Sequence, residues 1–134
     1  MSTQAKGSFE VQLNPLKTYN EDANASLARM SLDKQFHGDL EATSKGEMLS
    51  AMGNVKGSAG YVAIERVTGT LHGRHGSFTL QHNATMTRGE PALNIIVVPD
   101  SATDGLLGLA GTMVIIIADG KHSYEFDYTL GAGG

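Results

Sequence analysis

Glu65 and His82 are the two residues of this chain whose type and setting point most directly to chemistry. Each falls on the otherwise apolar face of an alternating stretch of sequence. A carboxylate and an imidazole held together away from water can serve as an acid–base pair, or as the polar anchor of an apolar cavity. Glu41 is a second carboxylate candidate for an acid–base role. Tyr61, Tyr124 and Phe126 are the aromatic candidates for lining such a cavity. The competing reading of Glu65 and His82 is a satisfied buried pair that fixes strand register and does no chemistry. His72 and His75 flank a turn and do not share a helix face, and His37, His82 and His122 lie elsewhere, so no metal site is expected. Gly105, Gly108 and Gly111 neither follow a strand that opens a helix nor precede a Gly-Lys-Ser/Thr, which argues for turn geometry over a phosphate loop. Serine, histidine and aspartate are all present, but no nucleophile elbow is. No cofactor is expected.

The composition narrows the field further. With 10 Lys plus Arg against 14 Asp plus Glu, the formal net charge is −4, which gives no electrostatic footprint for nucleic acid or an anionic membrane. The absence of cysteine removes disulfides, thiolate metal sites and a thiol nucleophile. Hydrophobic residues make up 40% and charged residues 18%, enough apolar content for a packed core. The 17 glycines are about twice the usual share of roughly 7%, while Pro is only 3, a balance that suits tight turns in a β protein. Met1 to Gly7 is polar, and the densest apolar run, Met113 to Ala118, is too short to span a bilayer. A cytoplasmic protein with no membrane partner is the expectation.

The elements that must position the candidate residues are strands. Apolar residues alternate over Ser8–Leu13, Leu27–Phe36, Leu40–Ser50, Tyr61–Leu71, Ser77–Thr87, Ala92–Val98, Thr112–Ala118 and Lys121–Leu130, about eight strands in all. A bulge is considered at Lys45-Gly46, a short helix around Glu21 to Ala28, and one helical turn within Asp104 to Ala110. With no room for crossover helices, the sheet is mainly antiparallel, and an all-β closed barrel accounts best for the pattern; a two-sheet sandwich is the alternative. The domain occupies residues 7–130, between a disordered tail at 1–6 and a frayed end at 131–134.

Hairpin turns convert this list into faces. With Arg74-His75 as a two-residue loop, Gly73 pairs with Gly76, Val67 with His82, Glu65 with Ala84 and Ala63 with Met86. With Gly89-Glu90 as the next loop, Met86 faces Leu93 and His82 faces Val97. Asp119-Gly120 pairs Ala118 with Lys121. Glu65, His82 and Tyr61 then share the inward face with Ala63, Val67, Leu71, Phe78, Leu80 and Met86, while Arg66, Gln81 and Asn83 point outward. The segments Leu93–Val98 and Met113–Ile117 are apolar on both faces. The outer set of Ile96, Val98, Val114 and Ile116 therefore calls for a partner, and a homodimer or other homo-oligomer is expected.

Several stretches also resemble a known family. Gly38-Asp39-Leu40-Glu41, Gly46-Glu47-Met48-Leu49-Ser50, the run from Gly57 to Arg66, the run from Gly69 to Phe78, Leu80-Gln81-His82, Val97 to Ser101 and Asp119 to His122 look like a bacterial domain family of unknown function. The similarity spans roughly residues 7 to 130. That family is similar in fold to the allene oxide cyclase barrel, so the resemblance implies an eight-stranded antiparallel barrel with an apolar cavity and supplies no activity. The plant cyclase's chemistry is not implied, because this chain has no cysteine to match the one in the cyclase pocket and Glu10-Val11-Gln12 is only a faint echo of its first strand.

The function expected from these observations is binding of a small, mainly apolar molecule inside the barrel, with Tyr61, Glu65, His82, Tyr124 and Phe126 around it. An isomerase or cyclase-like enzyme using the Glu/His pair or Glu41 is the alternative. A filled barrel acting as an oligomeric structural module is a third reading.

Overall fold

The computed structural model describes residues 2–22 and 26–131. Eight antiparallel strands follow one another around a closed barrel: β1 (Thr3–Leu16), β2 (Leu27–Gly38), β3 (Leu40–Met52), β4 (Ala59–Leu71), β5 (Arg74–Thr87), β6 (Glu90–Val97), β7 (Ala110–Ala118) and β8 (Lys121–Thr129). β8 pairs back onto β1 to complete the ring. A single 3₁₀ turn, Asp104–Leu106, interrupts the β6–β7 connection. No helix among the described residues is long and apolar enough to cross a membrane.

Three of the hairpins turn on an X-Gly pair with both residues at positive φ: His72-Gly73, Arg88-Gly89 and Asp119-Gly120. This is the signature of a turn that needs two left-handed residues, with glycine in the second position. The β7–β8 hairpin accordingly has the expected pairing of Ala118 with Lys121. The other two turns lie earlier than expected. Leu71 pairs with Arg74, so His82 stands opposite Ala63 and Glu65 opposite Leu80. Thr87 pairs with Glu90, and His82 meets Ile95 on its other side. Partners shift by four positions at the first turn and by two at the second, both even, so the faces are preserved: Glu65 and His82 are buried, and Arg66, Gln81 and Asn83 are exposed. Met86 is the exception among the residues expected in the core, since it lies 42% exposed at a barrel end.

The strands are longer than the alternation indicates. Residues 3–6, expected in a disordered tail, are paired with β8 as part of β1. β1 also continues through Pro15, because beyond Phe9 it pairs with β2 alone and the missing N–H has only one ladder to disturb. β3 runs through Lys45-Gly46 with unbroken register. The helix considered around Glu21 to Ala28 falls partly on residues 23–25, outside the described residues; Leu27 and Ala28 belong to β2. Gly131 donates to the Gly108 carbonyl at 3.0 Å, and residues 132–134 lie outside the described residues.

The barrel interior is filled unequally. At one end Phe36, Leu40, Val67, Leu71, Phe78, Tyr124 and Phe126 are buried together. The β6–β7 connection closes that end by adding Ala102, Leu106 and Leu109 to the same cluster. Arg66 fastens the connection from outside, donating to the Ser101 carbonyl at 2.8 Å and to Ser77 Oγ at 2.7 Å. At the opposite end the inward side chains reach water: Leu13, Leu93 and Ile117 are all substantially exposed. β6 and β7 are in register at only two positions, Ile95 with Met113 and Ile96 with Thr112, and no pair follows on the side of this open end. On the outer wall of the same two strands, Val114 and Ile116 are exposed and Ile96 and Val98 half-buried.

Candidate functional site

Alternation along β2, β3, β4 and β5 sends Lys34, Ser44, Glu65 and His82 to the interior, midway between the packed and open ends. Glu65 is 0% exposed, His82 3% and Lys34 8%. Glu65 Oε2 accepts from Lys34 Nζ at 2.8 Å and from His82 Nε2 at 2.5 Å, while Oε1 accepts from Ser44 Oγ at 2.6 Å. An ionised carboxylate only accepts, so His82 carries a proton on Nε2. The Lys34 ammonium also lies over the faces of Phe9 and Phe36, 5.0 and 5.7 Å from their ring centres.

The neighbouring backbone makes this convergence feasible. Gly46 is the residue opposite Glu65 on β3. A Cβ there would come within 2.0 Å of the Ile64 carbonyl oxygen and 2.6 Å of Glu65 Cα, so only glycine allows the two strands to pass at this distance. Burial pushes the Glu65 carboxyl up. The hydrogen bond from His82 and the charge of Lys34 outweigh that effect, with smaller contributions from the His82 charge and the Lys34 hydrogen bond, and bring it down to about 2.

Above this cluster a cavity of about 190 Å³ leads to the open end. Its wall is apolar, including Phe9, Val11, Leu32, Ala63 and Ile115, and its polar members are Lys34, His82, Tyr61 and His122. Burial raises the Tyr61 phenol, and the Glu65 charge raises it further, so its hydroxyl keeps its proton.

The sequence-derived candidates therefore separate. Glu65 and His82 are in direct contact, and His82 and Tyr61 reach the cavity. Tyr124 and Phe126 belong to the packed half: the Tyr124 hydroxyl accepts from Leu40 N–H and donates to the His37 carbonyl, both at 2.9 Å, and Phe126 stacks on Phe78 with ring centres 5.9 Å apart. Glu41 lies on the surface, accepting from Gly38 N–H at 2.8 Å, away from the cavity. His72 Nδ1 bonds the Tyr128 hydroxyl, and His37 pairs with Glu10. Among the described residues no three His, Asp or Glu side chains converge as metal ligands.

Sequence reasoning missed Lys34 and Ser44. The signal was available: Lys34 sits at period two between Leu32 and Phe36, and Ser44 between Ala42 and Gly46.

A family model described as "Protein of unknown function (DUF3224)" matches residues 5–128. The crystal structure of a protein with unknown function from the same family, from Shewanella oneidensis MR-1, is 52% identical, with a TM-score of 0.94 and 98% of each chain covered. No curated protein matches the chain. A match over nearly the full length, joined to a relative of that identity with the same barrel, means that the chain belongs to the DUF3224 family.

Proposed function

We propose that the open half of the barrel binds a small, mainly apolar molecule. The observation that carries this reading is the cavity of about 190 Å³, apolar on its walls and polar only at its floor and rim. A pocket of this kind desolvates the body of a ligand and orients it through a few polar contacts. A dry apolar cavity of roughly 150 Å³ accommodates benzene, so a single-ring compound matches the space. Binding has more support than proton abstraction by Glu65, because both carboxylate oxygens are already engaged and the carboxylate does not line the cavity.

Ala63→Leu tests the reading. Ala63 is buried, lines the cavity and stands opposite His82. In a thermal-shift series with toluene, benzyl alcohol and benzoate, at least one compound should stabilise the native protein, by about 2.7 kcal/mol at a hundredfold excess over Kd. The leucine variant should lose that response while remaining folded. Equal responses of the two proteins, or none in either, would overturn the proposal.

The exposed Val114 and Ile116, beside the half-buried Ile96 and Val98, favour a second reading alongside the first. In it two copies bury these outer walls against each other about a twofold axis. Sedimentation should then report a dimer at micromolar concentration; a monomer there would remove this reading.

A further inference from the structure

We propose that the ligand is an anion: a ring-sized apolar body carrying a carboxylate or similar oxyanion, held at the cavity floor by Lys34. This rests on the cavity-binding reading and specifies the class of molecule. The inference follows from an account of donors and acceptors. The only acidic group in the buried cluster, Glu65, is absent from the cavity lining, and its oxygens are taken by Lys34, His82 and Ser44. Among the described residues no Asp or Glu lines the cavity.

Lys34, by contrast, does line it. An ammonium has three N–H donors, and Glu65 is the one hydrogen-bond acceptor that Lys34 meets among the described residues. Its other close neighbours are the faces of Phe9 and Phe36. Two donors on a buried cation thus remain for an oxygen that enters from the open end. Charge-assisted bonds of this kind are roughly twice as strong as neutral ones, and the surrounding apolar wall strengthens them further.

Tyr61 adds to the same polarity. Tyr61 lines the cavity, and its hydroxyl has no hydrogen-bond partner among the described residues. Because the Glu65 charge and burial keep the phenol protonated, it offers a further donor. A cationic ligand would bring its charge toward Lys34 with no carboxylate free to answer it, and a neutral alcohol would forgo the charge assistance.

Titration calorimetry of the native protein with benzoate, benzyl alcohol and benzylamine separates the possibilities, since the three share a ring and differ in head group. Benzoate should bind about tenfold or more tighter than benzyl alcohol, and benzylamine weakest. In the double variant Lys34→Met/Glu65→Gln, which removes both charges and leaves neither orphaned, the preference for benzoate should shrink to about twofold. Benzyl alcohol binding as tightly as benzoate to the native protein would overturn the anion inference and leave cavity binding standing. A benzoate preference undiminished in the double variant would overturn the assignment to Lys34. If none of the three binds, the anion inference falls, and cavity binding falls with it only if toluene also fails to stabilise the native protein.

Discussion

Glu65→Ala should destabilise the protein by about 3–5 kcal/mol at neutral pH, the range for breaking a buried ion pair by removing one partner. The change strips Lys34 of its only hydrogen-bond acceptor among the described residues, and His82 and Ser44 of the carboxylate they donate to. Since small domains hold about 5–15 kcal/mol in total, the variant should unfold at much lower urea. Removing both ends with Lys34→Met/Glu65→Leu should recover most of the loss, because no uncompensated charge is left behind. The same pair predicts an acid response. The Glu65 carboxyl is depressed to about 2 from its ordinary 4.5, so its contribution is fully present above about pH 4.5. It is lost as pH falls from there toward 2, and amounts to about 3 kcal/mol. Urea titrations at pH 7 and pH 3 should show about 2 kcal/mol of this loss in the native protein and not in the double variant. A Glu65→Ala variant within about 1 kcal/mol of the native protein would mean that the cluster is neither buried nor paired as described.

Phe36→Ala should cost a similar amount, about 3–5 kcal/mol, for a different reason. Phe36 is fully buried, meets Tyr124 edge-on at 5.6 Å between ring centres and leans on Phe9 at 5.7 Å. Deleting it opens a void beside the hydroxyl that ties Leu40 and His37 together, in a region closed by the β6–β7 connection and with little freedom to collapse. Leu93→Ala makes the contrast. Leu93 also faces inward but is 42% exposed at the open end, so its loss should cost about 1 kcal/mol or less. Comparable urea midpoints for the two variants would contradict the unequal filling of the barrel.

How much of this was legible in the sequence depends on which physical rule each feature obeys. Faces follow parity, and parity survives even-numbered errors. Glu65, His82 and Tyr61 could therefore be placed inward although two of the three turns were set two residues or one residue too late, because moving a two-residue loop shifts each partner by twice that number. The turns themselves required the positive-φ rule to be applied with glycine second, which Asp119-Gly120 made plain and which Gly73-Arg74-His75-Gly76, with a glycine at each end, obscured. Gly76 is there for another reason: a Cβ would run into the Thr103 carbonyl at 2.4 Å, where the β6–β7 connection crosses. Contacts of that kind are long-range and leave no periodic trace. The same applies to the division between packed and open halves. Nothing in the alternation of β8 distinguishes Tyr124 and Phe126, which face the packed end, from His122, which reaches the cavity. Lys34 was missed by treating a charge on an apolar face as an interruption, when the face itself required it to be buried.

The seam between β6 and β7 governs how this molecule fails when heated. A ring of strands is only as continuous as its shortest junction, and two registered positions here stand against thirteen between β4 and β5. When the ring parts, it parts into an open ribbon whose free margins are β6 and β7. These carry the runs Ile95-Ile96-Val97-Val98 and Met113-Val114-Ile115-Ile116-Ile117, with no charge and no proline in either. Uncharged, β-branched margins of this kind are templates for adding strands from other chains. Heat inactivation should then proceed through intermolecular sheet growth from partly opened molecules, at a rate that rises with protein concentration, and a single lysine on the outward side of β7 would slow it without touching the cavity.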